Sequence, residues 1–187
     1  MSAAGRDLRS PRRVPALRHV DPLAPRGRLY RAYGRLAATR AALRLSRTRL
    51  WGAVVWRLDR RLLALTRGRL GTGLLLPTAL LQTRGARTGL ARRNAVIYFH
   101  DGPRPTIVAS RAGTQRDPAW LHNLRAEPEV LLAGAPYRAE LVREAAERAR
   151  LWALADRVFP AFAAYRASAA QAGRRIEIVQ LTPRDPG

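Results

Sequence analysis

The sequence predicts an α+β protein, in which a small barrel of mostly antiparallel strands carries flanking helices and follows a basic helical N-terminal extension. Apolar residues recur at helical spacing between residues 28 and 65. After Pro77 the pattern changes to short apolar runs separated by turn residues, which is typical of hairpins. The strand–helix–strand alternation of a doubly wound parallel sheet is missing, so a barrel is the better prediction.

The first 27 residues are predicted to be a disordered leader. They are rich in arginine and small residues, and four prolines interrupt any long helix: Pro11, Pro15, Pro22 and Pro25. A secretory signal would need an apolar run of about 7 to 15 residues, which this segment lacks. The protein is therefore expected in the cytoplasm.

Residues 28–76 are predicted to form a basic helical extension. One helix is expected over 28–46, with Leu29, Tyr33 and Leu36 on one face, and a second over 50–65, where Trp51 and leucines oppose arginines. Such helices suit the surface of an anionic membrane, which places the protein peripherally on the inner face of the plasma membrane. The alternative is that both helices pack on the domain and leave their arginines in solvent.

Charge is distributed unevenly. All 35 basic residues are arginine, and with 13 acidic residues the net charge is +22. Residues 1–93 carry 22 arginines against three aspartates, whereas residues 94–187 have a net charge of only +3. The total alone suggests a nucleic-acid-binding protein as an alternative function. Against that alternative, no nucleic-acid-binding motif is present and the charge lies mainly outside the patterned domain.

Residue usage restricts the chemistry. The chain has no cysteine and only three scattered histidines, so disulfides, cysteine nucleophiles and a typical zinc site are excluded, and no metal is predicted. Any redox reaction would depend on a bound organic cofactor.

Residues 77–187 are predicted to form the barrel domain. Its strands are expected over 80–83, 95–99, 106–110, 130–133, 137–142 and 176–181, with turns at 100–103 and 134–136. One helix is predicted to begin with Asp117 as N-cap and Pro118 at its first position, and to run to residue 125. A longer helix is predicted over 143–159, with Glu144 and Arg148 paired, and Pro160 ends it or begins another.

Two segments concentrate unusual residues. In residues 83–94, two glycines permit a tight turn flanked by Arg87 and Arg92, which could form a cradle for phosphate or carboxylate or simply be solvated arginines. The second segment is the end of a strand at Ser110, a loop, and a helix that begins near Trp120. It would place a hydroxyl, a guanidinium and an aromatic wall around one crevice, although Trp120 could equally belong to the core. Neither a Walker lysine nor a GxGxxG pattern is present.

Together these segments resemble the deazaflavin (F420)-dependent nitroreductase family of actinobacteria. The motifs are Thr83-x-Gly85-x-Arg87-Thr88-Gly89-x-x-Arg92, Val108-Ala109-Ser110-Arg111-x-Gly113 and Pro118-x-Trp120-x-x-Asn123-Leu124. The resemblance implies a split β-barrel of the FMN-binding, flavin-reductase type that binds the anionic 8-hydroxy-5-deazaflavin coenzyme F420. A flavin- or heme-binding split barrel is a further alternative.

The resemblance also implies site residues. Those expected to bind the coenzyme are Arg87, Thr88, Arg92, Arg93, Asn94, Val108, Ala109, Ser110, Arg111, Gly113, Ala119, Trp120, Leu121, His122 and Asn123. A substrate wall is expected from Phe159, Phe162 and Tyr165, where the family has tyrosines. Tyr165 and Ser110 are the expected catalytic residues, because their hydroxyls could hydrogen-bond the oxygen on which charge develops.

The reaction so implied is hydride transfer from reduced F420 to a planar, electron-poor small molecule. A quinone such as menaquinone is the leading acceptor, and nitroaromatics and enones are alternatives. The oligomeric state is not predicted.

Overall fold

A computed structural model of the chain describes residues 17–46, 48, 58 and 76–184. Two helices precede the barrel: α1 (Arg28–Ala37) and α2 (Arg40–Ser46). The strands are β1 (Thr78–Arg84), β2 (Ala91–Asp101), β3 (Arg104–Val108), β4 (Glu129–Leu132), β5 (Ala135–Leu141) and β6 (Ile178–Pro183). Three further helices are α3 (Ala119–Ala126), α4 (Ala145–Val158) and α5 (Ala161–Gln171), and a 3₁₀ turn spans Arg111–Gly113.

The six strands close into a barrel in the order β1-β2-β3-β6-β5-β4, and every neighbouring pair is antiparallel. Side chains of β1 alternate, so that Ala79, Leu81 and Thr83 point inward and are buried. The predicted α+β barrel of mostly antiparallel strands is thereby confirmed. The core continues beneath α3, α4 and α5, whose apolar faces cover the barrel.

The N-terminal extension differs from its prediction. The helix expected over 28–46 divides into α1 and α2, because Thr39 begins a new helix by accepting a hydrogen bond from the Ala42 amide at 3.3 Å. The second predicted helix, over 50–65, lies outside the described residues except for Leu58, and residues 1–16 of the predicted leader also lie outside them.

The prediction of a disordered leader up to residue 27 is wrong for residues 17–22. Val20 is buried, its amide donates to His100 Nδ1 at 3.1 Å, and its carbonyl accepts from the His100 amide at 2.8 Å. The Tyr98 hydroxyl donates to the carbonyl of Arg18 at 2.9 Å. These hydrogen bonds and the burial of Val20 fix the segment on β2, which the prolines alone did not suggest.

The boundaries of the strands also differ in detail. Ser110 lies beyond the end of β3, whereas Ala135 and Pro136 belong to β5 rather than to the predicted turn. The turn is made by Ala133 and Gly134, which have φ values of 50° and 89°. Because the turn needs only these two residues, β5 begins earlier than predicted.

Two acidic residues have partners other than those predicted. Asp117 does not cap α3, because Pro118 takes the N-cap position. The carboxylate of Asp117 binds Arg174 and Arg125 instead. Glu144 caps α4 by accepting from the amides of Ala146 and Glu147. In both cases a stronger interaction replaces the predicted one. Asp117 binds a buried guanidinium, and Glu144 accepts from two backbone amides at the positive end of a helix.

The predicted partner of Glu144, Arg148, instead forms an ion pair of 3.2 Å with Glu177. Pro160 begins a second helix, α5, rather than only ending α4.

Candidate functional site

The loop between β1 and β2 forms a compact cradle around Gly85. The amides of Thr88 and Gly89 both donate to the Gly85 carbonyl, at 3.2 and 2.7 Å, and Gly89 has a φ of 65°. A Cβ on Gly85 would lie 2.8 Å from Thr88 Oγ1 and 3.7 Å from Arg92 Nε. The side chains of Thr88 and Arg92 therefore converge over Gly85, and a larger residue there would have to displace the Thr88 hydroxyl.

Asn123 fixes this loop to α3. Its carbonyl oxygen accepts from the Ala86 amide at 3.1 Å, and its amide nitrogen donates to Thr83 Oγ1 at 3.0 Å. Both Asn123 and Thr83 are buried. Asn123 was expected to bind the coenzyme directly, whereas the structure makes it a brace that sets the shape of the loop.

The strand register separates the predicted arginines. Arg92 is opposite Thr83 and Arg93 is opposite Gln82, and residues that are paired across an antiparallel ladder share a face of the sheet. Arg92 therefore lies on the face of the buried Thr83, where Asn94 also lies opposite Leu81. Arg93 lies on the other face, where Nε donates to Gln82 Oε1 at 2.8 Å. This alternation places Arg93 on the opposite face of the sheet from Arg92, and its part in binding the coenzyme stays a prediction.

A strained loop follows β3. Arg111, Ala112 and Gly113 have φ values of 43°, 52° and 68°, which is three consecutive residues in the left-handed region. Gly113 is pressed against α5, since a Cβ there would lie 2.6 Å from the carbonyl oxygen of Tyr165. Ser110 is half-buried and Arg111 is exposed, with Nη1 donating to the Asp117 carbonyl at 2.9 Å.

Arg174 contacts this loop from the protein interior, and sequence reasoning missed it. Its side chain is only 7% exposed. Nε donates to Asp117 Oδ1 at 2.7 Å, Nη1 to the carbonyls of Ser110 and Thr114 at 3.1 and 2.8 Å, and Nη2 to the carbonyl of Ala109. Among 35 arginines, the only sequence signal would have been its place after Gly173 at the end of a helix.

The start of α3 is mostly core. Trp120 and Leu121 are buried, whereas Ala119 and His122 are exposed on the opposite side of the helix. Leu121 was expected to cover the coenzyme, but it has no exposed surface because the helix turns it toward the barrel. Val108 and Ala109 are buried as well, so they offer a ligand backbone rather than side chains.

The predicted substrate wall is brought together but buried. Phe159, Phe162 and Tyr165 pack edge to face, with ring centroids 5.2 to 6.3 Å apart, and Phe162 also contacts Trp152. Phe162 is 1% exposed. The spacing by three places all three rings on the buried face of α5 and its start, so they form a core cluster rather than an open wall.

An open cavity of about 560 Å³ lies between this strained loop and α5. Its lining is polar and cationic, with Arg111, Arg116, Ser168 and Gln171 as its main side chains. Ser168 is one helical turn after Tyr165, but the cavity is not lined by any of the three aromatic side chains. The described residues contain no group of side chains that could hold a metal ion.

A perturbed histidine lies on β2, outside this site. Burial, and to a smaller extent the neighbouring His19, whose ring centroid is 4.5 Å away, lower the pKa of His100 to about 4. His100 is therefore neutral near pH 7, which leaves Nδ1 free to accept from the Val20 amide.

Known proteins resemble this chain. An F420H(2)-dependent quinone reductase of Mycobacterium tuberculosis is 36% identical over 98 residues, which are 49% of this chain and 66% of that relative. The chain thus spans slightly less than two thirds of that relative. A second M. tuberculosis protein, named as a candidate enzyme of the same kind, is 33% identical over 122 residues, which are 62% of this chain and 99% of that protein.

Among solved structures, one described as a domain-swapped dimer superposes with a TM-score of 0.51 at 24% identity, covering 67% of this chain and 95% of its own, and it supports the fold alone. The family described as F420H(2)-dependent quinone reductase matches residues 55–183. This match confirms the expected resemblance to a deazaflavin-dependent family, and the chain belongs to the F420H(2)-dependent quinone reductase family.

Proposed function

We propose that this protein binds coenzyme F420 and transfers a hydride from its reduced form to a planar, electron-poor acceptor, in the first place a quinone. The carrying observation is the cradle around Gly85, in which Thr88 and Arg92 converge, in a chain that belongs to the quinone reductase family. Nitroaromatics and enones share the planarity and electron deficiency of quinones, and we propose them as secondary acceptors.

The cradle fits an anionic group. Arg87 and Thr88 are exposed on a loop whose shape is fixed from below by Asn123, and Arg92 is exposed at the start of β2. A phosphate there would accept charge-assisted hydrogen bonds from the two guanidiniums and a neutral one from the threonine hydroxyl. Asn94, on the same face as Arg92, is a further donor. Since Gly85 carries no side chain, the Thr88 hydroxyl can lie close to the backbone there.

Orientation is the main task of the chain itself. When bound, the reduced coenzyme supplies a hydride from its ring carbon. The backbone of residues 108–113 and the start of α3 would hold the ring plane, and the core beneath them keeps that surface rigid. Ser110, half-buried at the end of β3, would donate a hydrogen bond to the acceptor oxygen on which negative charge develops. A proton from water then completes the reduction of the acceptor.

The cavity beside α5 is our proposed route for the acceptor. Its volume of about 560 Å³ suits a bicyclic ring system, and its lining includes Ser168, one helical turn after Tyr165, the second proposed hydroxyl donor. Phe159, Phe162 and Tyr165 would contact an acceptor only if it entered between the cavity and the aromatic cluster, because all three are buried.

The binding test compares single arginine variants by titration with oxidised F420. We expect Arg87→Ala and Arg92→Ala each to weaken binding about tenfold or more, since each removes a charge-assisted hydrogen bond. Arg143→Ala removes the same charge from an exposed position just before α4 and should bind like the wild type. Arg93→Ala should have little effect, because Arg93 lies on the other face of the sheet.

The outcomes separate the candidate functions. Equal binding by all four variants would remove the cradle from the proposal. Tighter binding of FMN or heme than of F420 would favour the other split-barrel cofactors, and binding of duplex DNA without any binding of F420 would favour a nucleic-acid-binding protein.

We further propose that the N-terminal helices dock on an anionic membrane, on the cytoplasmic side. Leu29 and Leu36 are 78% and 65% exposed on α1, and Ala32 lies between them on the same stripe. Exposed arginines flank the stripe at positions 28, 31 and 35. Among the described residues, no helix is both long and apolar enough to cross a bilayer, so the proposal concerns the surface alone.

A further inference from the structure

We infer that Arg174 is the positioning residue of the reaction: it holds the strained loop, residues 109–117, in the shape that presents Ser110 and Arg111 to the coenzyme and the acceptor. Its guanidinium makes four hydrogen bonds to this loop, three to backbone carbonyls and one to Asp117. The inference rests on the proposed function, because it takes Ser110 and Arg111 as part of the site.

The loop requires such a restraint. Non-glycine residues in the left-handed region cost about 1 kcal/mol or more each and persist only where their surroundings hold them. Arg111 and Ala112 are two such residues in succession. Other restraints include the contact of Gly113 with Tyr165 and the hydrogen bond from Arg111 to the Asp117 carbonyl. Each of these holds the loop at one point, whereas Arg174 binds it at four: the carbonyls of Ala109, Ser110 and Thr114 and the carboxylate of Asp117.

Arg174 is itself held by the end of α5. Gly173 has a φ of 68° and follows the helix, so the chain reverses there and the Arg174 amide donates to the Ala169 carbonyl at 2.8 Å. The side chain is thereby directed back under the loop, where it is 7% exposed. Its charge is balanced by Asp117, whose second oxygen binds Arg125 at 3.2 Å.

The planar guanidinium matches this task. Four acceptors in different directions lie around one side chain, and only the five-donor fork of arginine can reach them all. A lysine ammonium at this position would reach one or two of them. Arg174 does not line the cavity, so it acts through the loop rather than on the acceptor.

The test compares Arg174→Ala and Arg174→Lys with Arg175→Ala, which removes the same charge from the adjacent exposed residue. Three quantities are measured: the Kd for oxidised F420, the single-turnover rate of deazaflavin oxidation by a menaquinone analogue, and hydrogen exchange of the amides of residues 109–117. In Arg174→Ala the rate should fall about tenfold or more, because small misplacements of reacting groups are costly. The Kd should change less than threefold, since the cradle around Gly85 is braced by Asn123.

The single-turnover rate of Arg174→Lys should lie between those of Arg174→Ala and Arg175→Ala. Exchange of the loop amides should be faster in both Arg174 variants than in Arg175→Ala. If Arg174→Ala does not fold, Asp117→Asn, which keeps the carbonyl contacts of Arg174, should show a smaller loss of rate with the same pattern. Equal rates and equal exchange in Arg174→Ala and Arg175→Ala would overturn the inference. If the loop amides exchange faster in Arg174→Ala, but the wild type neither binds oxidised F420 nor oxidises the reduced coenzyme, the proposed function is overturned instead.

Discussion

At the scale of single residues, buried polar groups shape the site more than exposed ones do. Asn123 and Arg174 each satisfy several backbone groups of a loop from beneath. Asn123 does so next to Arg87, by accepting from the Ala86 amide, and opposite Arg92, by donating to Thr83. A buried polar network that is fully hydrogen-bonded is rigid, because breaking any part of it leaves an unsatisfied group.

His100 makes the stability of the protein depend on pH. Its pKa is lowered to about 4 in the folded state, from an ordinary value near 6.5, chiefly by burial. As pH falls below about 6.5 the unfolded chain takes up the proton first, so stability is present above that value and is lost as pH approaches 4. We expect the titration of this residue to lower the free energy of unfolding by about 2 kcal/mol between pH 7.5 and pH 4.5.

The free energy of unfolding at these two pH values is measured by urea unfolding, followed by tryptophan fluorescence. His100→Asn keeps a hydrogen-bond acceptor for the Val20 amide but does not titrate, so its loss between the two values should be about 2 kcal/mol smaller than that of the wild type. His122→Asn, at an exposed position on α3, should behave like the wild type. An equal loss in all three proteins would show that His100 carries no such role.

At the scale of elements, periodicity predicted the strands and helices of residues 77–184 well, and their contacts less well. The alternation of apolar residues and the turn residues at 100–103 were enough to place β2 and β3 in a hairpin. The partners of Asp117 and Glu144 were missed because they depend on residues far away in the chain, or on backbone amides that compete with side chains. The burial of Phe159, Phe162 and Tyr165 was missed for the same reason.

Helix α1 is fixed to the junction of α4 and α5, which gives a prediction for its attachment. Tyr30 donates its hydroxyl to the Val158 carbonyl, and a Cβ on Gly34 would lie 3.2 Å from Pro160 Cδ. Gly34→Leu should therefore force α1 away from this junction, because a four-carbon side chain has no space there. We expect trypsin to cleave within α1 about tenfold faster in this variant, as local opening becomes easier.

Ala32→Leu adds the same side chain on the exposed stripe of α1 and serves as the control. The cleavage sites are identified by mass spectrometry, so that cuts within α1 are separated from cuts elsewhere. If both variants are cleaved at the same rate, α1 is not held by the contact between Gly34 and Pro160.

At the scale of the whole molecule, the net charge of +22 divides into parts with different tasks. Residues 94–184 contain most of the acidic groups, and many of their arginines form ion pairs there, such as Arg150 with Asp101 and Arg166 with Asp156. The first 93 residues have three aspartates for 22 arginines and so carry a net charge of +19. An excess of this kind attracts anionic surfaces at long range and weakens with salt.

Membrane docking of α1 would combine this charge with its exposed leucines. Burying two leucine side chains at the boundary of the acyl chains contributes about 3 kcal/mol or more, and arginines near anionic headgroups add about 1 kcal/mol each. The variant Leu29→Ser/Leu36→Ser should therefore bind vesicles containing phosphatidylglycerol at least tenfold more weakly in a sedimentation assay. Leu90→Ser, which makes the same change at an exposed leucine of the β1–β2 loop, should bind like the wild type. Electrostatic attraction and insertion of leucine are separate contributions, so high salt should weaken vesicle binding of both the wild type and the double variant. If the double variant binds as tightly as the wild type, the exposed leucines do not contribute and charge alone causes any attachment.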